Sequence, residues 1–125
     1  MGRFTDNRLS ARDRGYTPAW DRAASQFKRD NPHCRGCAAI GTRTPASVVD
    51  HTIPHKGDQT LFWSKANWQP ACRHHHDVIK QMMEAMLATG EAAPADMRLD
   101  SDLAIKLSRK HPRVTQTGLD GWPVN

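Results

Sequence analysis

Apolar residues recur at three-to-four spacing in two stretches of the chain and cluster in two shorter ones between them, and that pattern lays out the elements. Trp20, Ala24 and Phe27 form one stripe, as in a helix that buries a single face. Thr17 offers a capping hydroxyl, Pro18 suits the first helical position, and Asp30-Asn31-Pro32 ends the run. A second helix is predicted from about His74, with Ile79, Met82, Met83 and Met86 as a core stripe and Gly90 as its stop. Between the two, Ser47 to His51 is short and β-branched and predicts a strand, and Trp68 to Cys72 predicts a second strand returning antiparallel to it. The intervening stretch through Pro54, Gly57, Asp58 and Leu61-Phe62-Trp63 reads as loop, with Phe62, Trp63 and Trp68 assigned to the core. After Gly90, residues 91–101 read as a linker and Asp102 to Lys110 as a short helix carrying Leu103 and Leu107 and stopped by Pro112. Residues 118–125 read as a turn with a tryptophan anchor. The residues before Thr17 have no periodicity that buries a face and are read as a basic flexible arm.

Composition sharpens this picture. The 125 residues are only 38% hydrophobic and 25% charged, with a mean hydropathy of -0.73, so a single small core is expected to need a staple beyond apolar burial. No apolar run approaches the roughly 18 residues that span a bilayer, and the N-terminal stretch has no secretory apolar segment; a cytoplasmic protein with no membrane contact is the expectation. The net charge is +5 and the basic excess lies in the first 80 residues, whereas residues 81–125 are slightly acidic. A polyanion, nucleic acid foremost, is the partner such a field attracts. Arg22, Lys28 and Arg29 lie off the apolar stripe of the first helix and are read as a solvated face, with phosphate contact as the alternative.

Three cysteines cannot close a disulfide framework, but their spacing suits a metal. Cys34 and Cys37 form a CxxC, and two residues separate Cys72 from His75. Together they are a Cys3His set with no vacancy, the composition of a structural zinc site. The distance from Cys37 to Cys72 is too long for a simple finger, so the segment between is read as a functional insert held at its base by metal. That insert and the helix after it carry a harder ligand set, Asp50, His51 and His76, with Asn67, His55 and Lys80 nearby. Neighbours on a strand project to opposite faces, so Asp50 and His51 share a cleft only where the strand ends. His75 and His76 diverge by roughly 100° about a helix axis and suit two different sites. A carboxylate plus an imidazole fits Mg²⁺, Mn²⁺, Ni²⁺ or Zn²⁺, and a neutral His51 suits proton abstraction from water. The alternative is that Asp50 caps a turn, His51 packs on a tryptophan and the histidine run is a surface tract.

VVDHTIPHKGD followed by NWQPACRHHHDVIK, after CRGC and a lead-in RGYTPAW, resembles the HNH endonucleases, in particular the small zinc-stapled ones of bacteriophages and bacteria; the resemblance covers roughly residues 14–80. It implies an α+β protein with a small ββα-metal (HNH, His-Me finger) core, a structural Cys3His zinc site and flanking helices. The layout is then an arm over 1–16, a nuclease domain over 17–90 and a C-terminal helix or tail over 91–125 packed on or extending it. The resemblance makes His51 the general base, Asn67 the residue that orients it, and His76 the last histidine of the motif, binding the catalytic divalent cation with Asp50. His75 stands where the family usually has its fourth cysteine, and only this register leaves His76 in the catalytic place. His55 and Lys56 in the loop after the base, together with Arg73 and Lys80, are the candidates for nucleic-acid contact. DNA is the implied substrate, cut to 5′-phosphate and 3′-hydroxyl ends, and phage terminase subunits are the implied partners inside a bacterial host. The competing expectation is a zinc-stapled nucleic-acid-binding module without catalysis, which needs the Cys3His set but has no use for Asp50, His51, Asn67 and His76 together.

Overall fold

The structure, a computed structural model, describes residues 15–113 and the backbone of two short paired segments, Gln116–Thr117 and Pro123–Val124. The expected arm up to residue 14 and the expected turn around residue 122 lie outside the described residues. The chain is a small α+β fold: α1 (Pro18–Asp30), α2 (Arg35–Ala39), β1 (Val48–His51), α3 (Gln59–Trp63), β2 (Trp68–Ala71), α4 (Lys80–Ala88) entered through a π-helical turn at His75–Ile79, and α5 (Asp102–Lys110).

Local chemistry sets the ends. The Thr17 hydroxyl accepts from the Trp20 amide at 3.4 Å, and the Asn31 amide closes the other end of α1 on the Phe27 carbonyl at 2.8 Å. On the solvent side of α1, Lys28 donates to the Ser47 carbonyl and Arg29 to Gln26. Asp58 caps α3, accepting from Thr60 and Leu61; this helix stands where a loop is expected, because one acidic cap is enough to fold a single turn among the flanking turn residues. β1 and β2 pair antiparallel with Asp50 opposite Gln69 and His51 opposite Trp68. Pro70 is tolerated because each strand of a two-stranded sheet has a free edge.

The hairpin separates two apolar clusters. Alternation along β1 sends Val48 to the first, built from Ala71, Ile79, Met83, Met97, Leu99 and Ala104, and Val49 to the second, built from Trp20, Phe27, Phe62 and Trp68. Asp50 and His51 continue that alternation, Asp50 towards α4 and His51 towards Trp20, as their neighbours show. Two expectations are corrected here. Residues 91–101 are not a linker: a 3₁₀ turn at Pro94–Met97 buries Met97 and Leu99 completely and Ala92 nearly so. Trp63 is not core, being 41% exposed, because its ring lies on the outer edge of the aromatic group against Trp20 and Phe62.

Leu99→Ala is expected to destabilise the protein by about 2–5 kcal/mol, the usual cost of truncating a fully buried leucine, read as a lowered urea midpoint at constant slope; a linker residue would move the midpoint by under about 0.5 kcal/mol.

Candidate metal centre and catalytic cleft

Cys34, Cys37, Cys72 and His75 come together from α2, the end of β2 and the head of the long helix, all four buried, with their ligand atoms within 4.8 Å of one another. The Cys37 and Cys72 sulfurs are 3.7 Å apart, and His75 Nδ1 is 3.5 Å from each. A tetrahedral zinc ion with the usual bond lengths requires about 3.8 Å between sulfurs and about 3.6 Å from sulfur to nitrogen, so the donor set fits that ion. Hydrogen bonds from Cys34 and Cys37 pull the Cys72 thiol below its ordinary value, and bonds to Cys37 and Cys72 push the Cys34 thiol above its own.

Two features outside the ligand set shape this centre. A Cβ on Gly36 would lie 2.1 Å from the His75 ring, so the CxxC turn admits the imidazole only because glycine stands there. Ser108 of α5 donates its hydroxyl proton to the Ala104 carbonyl at 2.6 Å and accepts from His75 Nε2 at 3.0 Å. That bond places the ring proton on Nε2 and leaves Nδ1 as the lone pair facing the sulfurs. His74 is turned away from the cluster, donating from Nε2 to the His111 carbonyl at 2.9 Å. Among the three successive histidines, His75 is therefore the one in the cluster.

The harder set lines an open cleft of about 520 Å³ that includes Asp50, His51, His55, Lys56, His76 and Glu84. His51 is buried, with its ring stacked on Trp20 at 5.1 Å between centroids and tilted against Phe62. Its Nε2 is 3.0 Å from the Phe62 carbonyl, which also accepts from Trp68 Nε1 at 2.8 Å. A carbonyl can only accept, so the ring proton is on Nε2 and Nδ1 carries the lone pair. Burial pulls the imidazole down to about 4, which keeps it neutral at physiological pH. Packing on a tryptophan, one of the alternatives in the sequence, leaves Nδ1 of the same ring as an acceptor.

Asn67 ties the strand ends together. It exchanges bonds with the backbone of Ile53, accepting at 2.8 Å and donating at 2.9 Å, and its amide reaches the Leu61 carbonyl at 3.3 Å. Asp50 is 3% exposed. Its Oδ2 accepts from Gln69 at 2.7 Å and meets Lys80 Nζ at 3.2 Å. Burial pushes the Asp50 carboxyl above its ordinary value, while Lys80 and Gln69 pull against that shift. Its Oδ1 stands 3.8 Å from His76 Nε2. His76 Nδ1 is 2.8 Å from Asp77 Oδ1, so the ring stands between the two carboxylates with Nε2 turned to Asp50. Two ligand atoms of one cation, each about 2.0–2.2 Å from it, lie about 3–4 Å apart, and this pair is within that bite.

The proposed nucleic-acid contacts separate. Lys56 is exposed at the cleft, in a left-handed backbone conformation with φ 49°. Arg73 is exposed, but outside the residues that line the cleft. His55 accepts from the Gly57 amide on Nδ1 and bonds Tyr16 through Nε2. Lys80 is corrected: it is wholly buried and holds oxygens of the protein itself, so it has no path to a phosphate. Sequence reading missed Gln69, whose side chain bonds Asp50, the Met97 carbonyl and the Leu99 amide, and it missed Ser108. Asp50 opposite Gln69 is implicit in the hairpin register, whereas no local signal marks Ser108. No protein-family model, curated protein or solved structure matches the chain. No helix among the described residues is long and apolar enough to cross a membrane.

Ser108→Ala should lower zinc affinity by about 10–100-fold, the usual loss when the partner of a metal-bound imidazole is removed. Competition with a chromophoric chelator measures it; unchanged affinity would remove Ser108 from the centre.

Proposed function

We propose that this chain is a metal-dependent HNH endonuclease that hydrolyses DNA phosphodiester bonds. The observation that carries the reading is the tautomer of His51: a buried, neutral imidazole whose Nε2 proton is committed to the Phe62 carbonyl, leaving Nδ1 as the acceptor in a ring that lines the cleft of Asp50 and His76. A nucleic-acid-binding surface has no need of such a group. The motif resemblance and the basic first 80 residues agree with it, and both favour DNA as the partner.

In this reading His51 Nδ1 takes a proton from a water molecule as that water attacks phosphorus opposite the 3′-oxygen. The Phe62 carbonyl holds the ring in orientation and stabilises the positive charge that the ring gains. Trp20 and Phe62 fix its plane by packing, and Asn67 holds the loop from which the Phe62 helix follows. Asp50 Oδ1 and His76 Nε2 would hold a single divalent cation, Mg²⁺, Mn²⁺, Ni²⁺ or Zn²⁺, whose chemistry is to stabilise charge on the phosphoryl and leaving oxygens. Lys56, and His55 once released from its own partners, would meet the flanking phosphates. The Cys3His zinc takes no part in the reaction and keeps the hairpin on the helix. By resemblance, the biological setting is genome cleavage during phage DNA packaging beside terminase subunits, in the cytoplasm of a bacterial host.

Supercoiled plasmid tests the reading. With added divalent metal, wild type should nick it, and His51→Ala should lose about 10²–10⁴ of the rate while retaining one zinc per chain. If both proteins hold zinc and bind DNA but neither cuts, the non-catalytic binding module is the better account.

A further inference from the structure

Lys80 is a residue of a type almost never fully buried without partners, yet it has no solvent exposure at all. Its ammonium meets three oxygens: the His51 carbonyl at 2.8 Å, Glu84 Oε2 at 2.8 Å and Asp50 Oδ2 at 3.2 Å. An ammonium has three N–H bonds and no acceptor, so this side chain is fully spent on the cage. Two carboxylate oxygens and a backbone carbonyl are also the donors a hard metal cation would choose. The cage divides the two oxygens of Asp50. Oδ2 is occupied by Lys80 and Gln69, and Oδ1 is left facing His76 Nε2.

Charge counting gives Glu84 a role as well. With Asp50 alone, Lys80 would cancel the carboxylate and leave the pair without net charge. Glu84, four residues on and lining the same cleft, supplies a second negative charge, so the three groups together carry one net negative charge.

We infer that Lys80 is a positioning residue whose buried ammonium occupies the place of a second cation, tying Asp50 Oδ2 and the His51 backbone into one oxygen cage so that Oδ1 is presented to a single divalent ion. The inference rests on the reading of Asp50 and His76 as the pair that holds that ion. It makes Glu84 the counterweight that keeps the group of Asp50, Lys80 and Glu84 anionic, and it joins the backbone of the base to the carboxylate beside it through one side chain.

Charge and positioning predict effects of opposite sign, which a merely structural role cannot produce. Lys80→Met removes a positive charge beside the site and should tighten Mn²⁺ binding at least about tenfold, while loosened geometry lowers the nicking rate about a hundredfold. Glu84→Gln removes a negative charge and should weaken Mn²⁺ binding several-fold. Combined in one chain, the two substitutions remove both charges and should bring Mn²⁺ affinity back to within about threefold of wild type, with the rate still low; this double variant decides the matter if Lys80→Met alone fails to load zinc. Free Mn²⁺ is counted by electron paramagnetic resonance on full-length, zinc-loaded protein, with Asp50→Asn as reference. Loss of Mn²⁺ binding in Asp50→Asn with opposite shifts in the two single variants supports the inference. Unchanged affinity in both single variants, or weakening in both, or a double variant far from wild type, overturns it while leaving the cation pair standing. Unchanged Mn²⁺ binding in Asp50→Asn overturns the cation pair and this inference with it.

Discussion

Four ligand atoms converge on one point from chain segments 35 residues apart, and the rest of the fold is arranged around that closure. A chain this polar gains little from its two apolar clusters, which lie on opposite faces of a hairpin of four-residue strands. Isolated two-stranded hairpins are marginal in water. A zinc ion on Cys34, Cys37, Cys72 and His75 would fix β2 to the head of α4 on one side and to α2 on the other, and the binding free energy of such a site is folding free energy. Gly36 and Ser108 show that the surroundings are shaped to His75 in particular: one clears room for its ring, the other fixes its tautomer.

Once the hairpin is held between two layers, its alternation does the chemical sorting. Val48 and Asp50 face α4, and Val49 and His51 face α1, so the carboxylate and the imidazole meet different neighbours although they are adjacent in sequence. Asp50 enters a polar, charged pocket of Gln69 and Lys80; His51 enters an aromatic one. Opposite faces and a common cleft are compatible because β1 ends at His51, where the chain turns away and leaves both side chains at the rim.

The legible parts of the molecule are those whose signals are local. Thr17 and Pro18 announce α1, the β-branched pair Val48-Val49 announces β1, and Asp102 to Lys110 was readable to the residue as α5. The CxxC and the two-residue gap before His75 marked the metal cluster because ligand spacing is itself a sequence property. What stayed hidden depends on closure of the whole chain. Gln69 looks like any strand residue until the register sets it opposite Asp50 and the segment after the 3₁₀ turn brings Leu99 against it. Ser108 looks like a solvent-facing helix position until α5 docks on His75. Lys80 was misread as a surface cation because a lysine on an amphipathic helix ordinarily is one; the two carboxylates and the carbonyl that draw it inward come from two places in the chain, the end of β1 and the next turn of α4.

His75 and His76 then set a constraint on both centres at once. They are consecutive residues of one π-helical turn, yet His75 turns its Nδ1 to the sulfurs and His76 turns its Nε2 to Asp50. A π turn inserts an extra residue into the helical ladder and widens it locally, a device that recurs at functional sites, and here it begins at the residue that the zinc would hold. The backbone amide of His76 closes on the Cys72 carbonyl at 3.0 Å, so the position of the cleft imidazole is referred directly to a zinc ligand. Metal at the Cys3His site would therefore fix the backbone from which His76 projects, while the buried Lys80, one turn further on, holds the carboxylate that His76 faces.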